Sequence, residues 1–197
     1  MTRPDGTVPG PDGRPRCPWA VSTADYVAYH DDEWGRPIRD DRGMFERLTL
    51  EAFQSGLSWL TILRKRPAFR VAFAGFDPVV VSAYDQADVD RLMADVGIVR
   101  NRAKILAAIA NARAALDLPG GLAALAWSYA PASPAPPPLV SADVPATTRE
   151  SVALAKGLRS HGFKFVGPTT AYALMQAVGI VDDHLAGCVA RRPVSDR

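Results

Sequence analysis

Two cysteines and three histidines are the only thiol and imidazole side chains in this 197-residue chain, and four of these five fall into two pairs. In "VDDHLAGC" (181–188) His184 and Cys188 stand four positions apart, and in "RCPWAVSTADYVAYH" Cys17 precedes His30 by thirteen. Four residues is about one helical turn, so a helix would place the imidazole and the sulfur on one face, where they could hold a metal. Two cysteines and two histidines form a closed tetrahedral zinc site, which staples a fold and leaves no open coordination position for catalysis. More than 150 residues separate His30 from His184, so one ion would clip the N-terminal segment to the C-terminal one. The other reading makes both cysteines small buried hydrophobes and the histidines ordinary satisfied groups, and the spacing, which is not that of a zinc finger, leaves both open. His161, in "RSHGFK", stands apart and reads as a helix-end residue favoured by the dipole.

A second oddity is a carboxylate on an apolar stripe. In "DDRGMFERLTLEAFQSGLSWLTILRKR" the residues Met44, Leu48, Glu51, Ser55 and Trp59 fall along one line at helical spacing. Burying a carboxylate costs several kcal/mol unless something pairs with it, and a salt bridge to one of the many arginines is the simplest answer. Trp19, Tyr26, Tyr29, Trp34 and Trp59 lie close in sequence to these residues. Each aromatic could be plain core, but together, with a carboxylate at the polar edge, they would suit a flat ligand such as a nucleobase.

Composition bounds the answer. The length suits one domain or two small lobes with a real core. The net charge is only +2 at pH 7, yet "LRKRPAFR" and "VRNRAKILAAIANAR" each carry four positive charges and no acid. Such stretches fit nucleic-acid phosphates or simply solvated helix faces. The start of the chain has no apolar signal core and no run is long enough to span a bilayer, so a cytoplasmic protein without membrane attachment is expected. A reducing compartment disfavours a Cys17–Cys188 disulfide.

The elements that must position these residues are helical. Residues 1–16, with four prolines and three glycines, read as a disordered tail, and 191–197 as a C-terminal tail. Between them lies a single domain, 17–190, built as two helical lobes. Ser22 is a possible cap for a helix carrying Tyr26, Tyr29 and His30, and Asp41 for the next. "ADVDRLMADVGIVRNRAKILAAIANARAAL" reads as a hairpin of two helices with Gly97 ending the first in a left-handed turn. "APASPAPPP" is an extended loop. Thr147 and Glu150 suit a capping box, Pro168 opens a helix that Gly179 ends, and Asp182 or Asp183 could cap a short helix bearing His184 and Cys188. Without sustained period-two alternation the fold class is all-α.

Five segments, "YVAYHDDEWG", "LEAFQSGLSWLTILRKR", "VGIVRNRAKI", "HGFKFVGPTTAYALMQAVG" and "VDDHLAGC", together resemble the bacterial 3-methyladenine DNA glycosylase I family over about residues 16–190. The resemblance implies a helix-hairpin-helix DNA glycosylase-like bundle with one structural Zn2+ held by Cys17, His30, His184 and Cys188. It implies that Glu51 recognises the base, with Trp59, Tyr29 and Tyr26 as pocket aromatics and Trp19 and Trp34 nearby. The implied activity is monofunctional hydrolysis of the N-glycosidic bond of 3-methyladenine in double-stranded DNA, releasing the free base and leaving an abasic site. A monomer is the default. Gly97, Arg100, Arg102 and Lys104 are the expected DNA contacts, although the 95–100 turn lacks a Gly-x-Gly pattern. The first 16 residues and the 130–138 proline segment look particular to this chain.

Overall fold

A computed structural model describes residues 5–191. Residues 1–4, and 192–197 of the expected C-terminal tail, lie outside the described residues. The chain is mostly helical, as expected: nine α-helices among the described residues and one two-stranded ladder. No helix among the described residues is long and apolar enough to cross a membrane.

The helices are α1 (Ala24–Asp32), α2 (Asp41–Gln54), α3 (Trp59–Ala72), α4 (Pro78–Ser82), α5 (Gln86–Ala94), α6 (Arg102–Leu116), α7 (Gly121–Trp127), α8 (Arg149–Ser160) and α9 (Pro168–Ala177). Central among them is α2, which touches α3, α6, α7 and α9. Met44, Phe45, Leu48, Leu50 and Phe53 on it are fully buried. Because neighbours cover so much of its circumference, even Arg47, Thr49 and Glu51 are buried.

The apolar stripe from Met44 to Trp59 does not run along one helix. It breaks at Gly56, whose φ of +82° is cheap only for glycine, and Ser58 caps α3 by accepting from the Thr61 N–H at 3.2 Å. The open carbonyls at the end of α2 are taken by the Lys104 ammonium, which donates to Phe53 O at 2.8 Å and Ser55 O at 2.6 Å. Trp59 therefore comes back towards Glu51 across a turn. The caps differ from expectation by one residue: Thr23, Asp40 and Thr148 serve where Ser22, Asp41 and Thr147 were expected. Asp41 instead accepts from the Ala123 N–H at 2.7 Å, tying α2 to α7. His161 does end a helix, closing α8.

The expected disorder of residues 1–16 is corrected for residues 5–16. Strands β1 (Val8–Pro9) and β2 (Pro15–Arg16) pair antiparallel across a Pro-Asp-Gly turn. The ordering force is Arg16, a buried guanidinium between Asp12 (2.5 Å) and Asp31 (2.6 Å). Residue counts register the prolines and glycines but not the remote carboxylate that fixes the strand.

Candidate functional site

A cavity of about 440 Å3 is lined by Trp19, Tyr26, Tyr29, Trp34, Glu51 and Trp59, the whole set of pocket residues expected from sequence. Helix α1 supplies Tyr26 and Tyr29 from one face, three residues apart. α2 supplies Glu51, and Trp59 is the first residue of α3. The Tyr29 and Trp59 rings lie 5.3 Å apart between centroids, and Trp19 stands edge-on to Tyr26 at 5.6 Å. At these separations the rings pack on each other, so they form an aromatic wall for a flat ligand to lie against, and the volume suits a small one.

Glu51 is only 7% exposed, and among the described residues no ion pair or hydrogen bond reaches its carboxyl group. The salt bridge that would make it structural is missing because Arg47, one turn earlier, pairs with Glu33 and Glu46, each at 2.9 Å. Burial pushes the Glu51 pKa up to about 8, with the Arg47 charge pulling only weakly the other way. Burial, and then the Glu51 charge, likewise raises the Tyr29 phenol. The Trp59 indole N–H is buried without a partner. The Tyr26 hydroxyl accepts from the Leu60 N–H at 3.0 Å, leaving its own proton to donate. On the Glu51 side the cavity thus offers that carboxyl group and at least two donors, the Trp59 indole N–H and the Tyr26 hydroxyl, to a polar ring edge.

Beside it, ligand atoms of Cys17, His30 and Cys188 lie within 4.8 Å of one another, all buried, in an arrangement able to hold a metal ion. The His184 ring stands 4.8 Å from the His30 ring, and its Nε2 is buried with no hydrogen-bond partner. Each imidazole turns Nδ1 to a carboxylate, His30 to Asp31 and His184 to Asp182, both at 2.8 Å. A carboxylate only accepts, so Nδ1 carries the proton and Nε2 keeps its lone pair for a ligand. Gly35, at φ +76°, lies under the His184 ring, where a Cβ would come within 3.0 Å of Cε1. His184 lies outside that three-residue group, but its orphaned Nε2, on a ring packed against His30, together with two thiols and a second imidazole fits a soft divalent ion.

The expected helix carrying His184 and Cys188 does not form. Asp182 accepts from the His184 backbone N–H at 3.1 Å and a tight turn closes from Leu185 O to Cys188 N–H at 2.9 Å, so the segment is a loop with a turn. The four-residue spacing still brings both side chains to the cluster, by a turn in place of a helical face.

The expected DNA contacts divide. Lys104 is buried at the end of α2 and is not available to a phosphate. Gly97 is not left-handed, its N–H bonds Asp95 Oδ1 at 2.7 Å, and its carbonyl faces the Lys65 ammonium at 3.2 Å. A Cβ there would meet Ala68, so glycine serves close packing. Arg102 is half exposed and donates to Gln86, and Arg100 is exposed.

Several residues near the cavity escaped the sequence reading. Gln54, Gln176 and Asp183 line it, Asp183 having been considered only as a cap. The exposed Leu57 sits beside Gly56 in the turn between Glu51 and Trp59. The α8–α9 turn presents exposed Lys164 and Phe165, the latter at φ +55°, and buried Asn111 holds it through Lys164 N–H (2.7 Å) and O (3.1 Å). The "GFKFVGPTT" string carried that signal, since glycine before a Pro-initiated helix leaves the helix start without a side-chain cap.

The family described as methyladenine glycosylase matches residues 19–192. "DNA-3-methyladenine glycosylase 1" of Escherichia coli (strain K12) is 45% identical over 177 residues, covering 88% of this chain and 95% of that protein. A crystal structure of 3-methyladenine DNA glycosylase I superposes with TM-score 0.86 at 44% identity, over 90% of this chain and 100% of that one. Another, of a variant of 3-methyladenine DNA glycosylase I in complex with 3-methyladenine, gives TM-score 0.86 at 34% identity, over 90% of this chain and 98% of that one.

The buried carboxyl group makes stability pH-dependent. Its folded pKa of about 8 lies above the ordinary 4.5, so the native state holds the extra proton across that window and loses stability as pH rises through it. The pH dependence of wild type minus that of Glu51→Gln, measured by urea unfolding at pH 5, 6.5 and 8, should fall by up to about 1.4 kcal/mol per pH unit. Parallel curves would place Glu51 in an ordinary, solvated environment.

Proposed function

The chain belongs to the methyladenine glycosylase family, and from that premise we propose that it excises 3-methyladenine from double-stranded DNA by hydrolysing the N-glycosidic bond, with Glu51 as the base-recognising group. The observation that carries the role is an unpaired, buried carboxyl group at the edge of an aromatic cavity. In DNA this base carries a positive charge, so its bond to the sugar is already weakened and it departs neutral. Selection then rests on recognising charge and shape in a flipped-out base.

In the empty site Glu51 favours its protonated form near neutral pH. A cationic purine presenting its exocyclic amine reverses that preference, because the buried carboxylate gains a charge-assisted hydrogen bond and an opposite charge beside it. Guanine presents a carbonyl there and is rejected. Trp59 gives the ring a face to stack on, with Tyr29 packed against it, and a cation over an aromatic face gains about 0.5 to 2 kcal/mol. Tyr26 adds a hydroxyl donor, and Trp19 and Trp34 close the wall shared with the metal cluster.

The double-stranded DNA surface follows from the same reading. We propose the helix-hairpin-helix at α8–turn–α9 in preference to 96–102, a reading supported by the start of α9 having no side-chain cap and so being open to a phosphate. Lys164 adds charge, with Arg100 and Arg102 as peripheral contacts. Leu57, exposed at the turn between Glu51 and Trp59, is an apolar wedge for the gap that the flipped base leaves. We assign 17–190 to one catalytic domain of a cytoplasmic monomer, with the 5–16 hairpin docked on it.

A structural Zn2+ is the ion we propose for Cys17, His30, His184 and Cys188. Four protein ligands supply no open position, so the ion contributes stability and not chemistry. Cys188→Ser should release metal, measured by absorption spectroscopy, and lower the Tm by 5 °C or more, while protein that remains folded keeps most of its excision rate. Full metal retention would remove Cys188 from the ligand set.

The test of function is release of free 3-methyladenine from methylated duplex DNA, wild type beside Glu51→Ala. Wild type should release the base and the folded variant should lose about 100-fold or more in rate, the scale of a lost electrostatic contact in a dry site. Release unaffected by the substitution would remove Glu51 from the reaction, and no release by wild type would remove the activity.

A further inference from the structure

The turn between α2 and α3 carries Leu57, and it stands out from the protein: residues 55–58 are exposed, and a Cβ on Gly56 would have nothing within 4 Å. Gly56, at φ +82°, is also a hinge, since glycine reaches other conformations as readily. Within the turn the Leu57 N–H bonds Gln54 O at 2.6 Å, and Ser58 caps α3. Among the described residues, the hydrogen bond that reaches 55–58 from another element comes from Lys104, in the first turn of α6. Its ammonium donates to Ser55 O at 2.6 Å and to Phe53 O, just before the turn, at 2.8 Å. Water would satisfy the Ser55 carbonyl at so exposed a place. What an ammonium anchored in α6 adds is a fixed position, and at 8% exposure its charge faces these carbonyls and not the solvent. The tie is returned on the other side: Lys65 of α3 donates to Val96 O at 2.9 Å and Gly97 O at 3.2 Å, in the segment that leads into α6.

We propose that Lys104 is a positioning residue for opening the duplex: it braces the 55–58 turn so that Leu57 holds its place while the DNA pushes back. The idea rests on the glycosylase reading, with Leu57 as the wedge. Driving an apolar side chain between base steps costs unstacking free energy, and the opposing force falls on a turn with a glycine hinge. A brace from α6, itself joined to α3 through Lys65, passes that load into two helices. Lys104 lies outside the lining of the base cavity, so it serves flipping and not recognition of the flipped base. The basic run 99–104 thus divides its work: Arg100 and Arg102 face outward, and Lys104 turns inward to hold the wedge.

Lys104→Met keeps an unbranched side chain and removes the ammonium. In the full chain, single-turnover release of 3-methyladenine from methylated duplex DNA should fall about tenfold or more, while affinity for the free base, read by quenching of tryptophan fluorescence, stays within about twofold of wild type. Leu57→Ala should show the same pattern. In that background Lys104→Met should lower the rate by less than about a further twofold, because a brace has nothing to hold once the wedge is gone. The salt dependence of duplex binding should match wild type, since no phosphate contact is removed. Lys65→Met, at the less buried tie, should lose about threefold in duplex rate with the same signature, and it carries the test if Lys104→Met does not fold. Wild-type duplex rates in any of these folded variants, a loss undiminished in the Leu57→Ala background, a loss matched by lost base affinity, or a salt slope lower by about one overturns the assignment. Failure of the glycosylase reading itself is distinct, because then wild type releases no base.

Discussion

A carboxyl group held out of water without a cation of its own is the constraint on which the rest of this structure depends. Glu51 can occupy that position only because α2 is covered on several sides and carries it into the interior. Its neighbour Arg47 would neutralise it, yet Glu33 and Glu46 hold that guanidinium, and Arg66 and Arg70 in turn satisfy those acids. The ion-pair network is therefore best understood as keeping Arg47 occupied. Burial therefore keeps Glu51 protonated near neutral pH, and a cationic ligand with hydrogen-bond donors is the partner we propose to ionise it.

The Cys/His cluster serves the same end. Trp19 stands edge-on to the His30 ring at 5.2 Å, and Trp34 contacts the rings of His30 and His184 at 6.2 and 4.6 Å, so two walls of the cavity are also the packing around the cluster. A clip between the ends of the chain thus fixes aromatic positions next to Glu51. The N-terminal hairpin extends this support: Arg16 bonds Asp31, which orients His30, and Pro15 O accepts from the Val189 N–H at 2.9 Å, one residue past Cys188. Loss of the hairpin acts on the imidazole before it acts on the base pocket.

What the sequence made legible were residues out of place for their type. Glu51 stood out as a charge on an apolar stripe, the scarce cysteines and histidines stood out by pairing, and the aromatic residues of the first third gathered where a pocket needed them. What it concealed were partnerships between remote residues. Lys104 looks like one more cation in a basic run until the carbonyls of Phe53 and Ser55 turn it into a helix cap. Asp183 looks like a capping residue until Tyr172 and Gln176 meet on one of its oxygens. Residues 5–16 have the composition of a tail until Asp31 engages Arg16. In the 41–66 run, helical periodicity continues through Gly56 even though the backbone does not, because residues on two packed helices can share a core as readily as residues on one.

The central claim is that Glu51 is protonated in the empty cavity and ionised by the base it recognises. Titration of the Glu51 side-chain carboxyl by 13C NMR, in free protein and with saturating 3,9-dimethyladeninium, a fixed cation like the methylated base in DNA, measures this directly. The account predicts an apparent pKa near 8 in the free protein and an ionised carboxylate at neutral pH once the base is bound. A carboxyl group that titrates in the ordinary range when free, or that does not respond to the base, would contradict it.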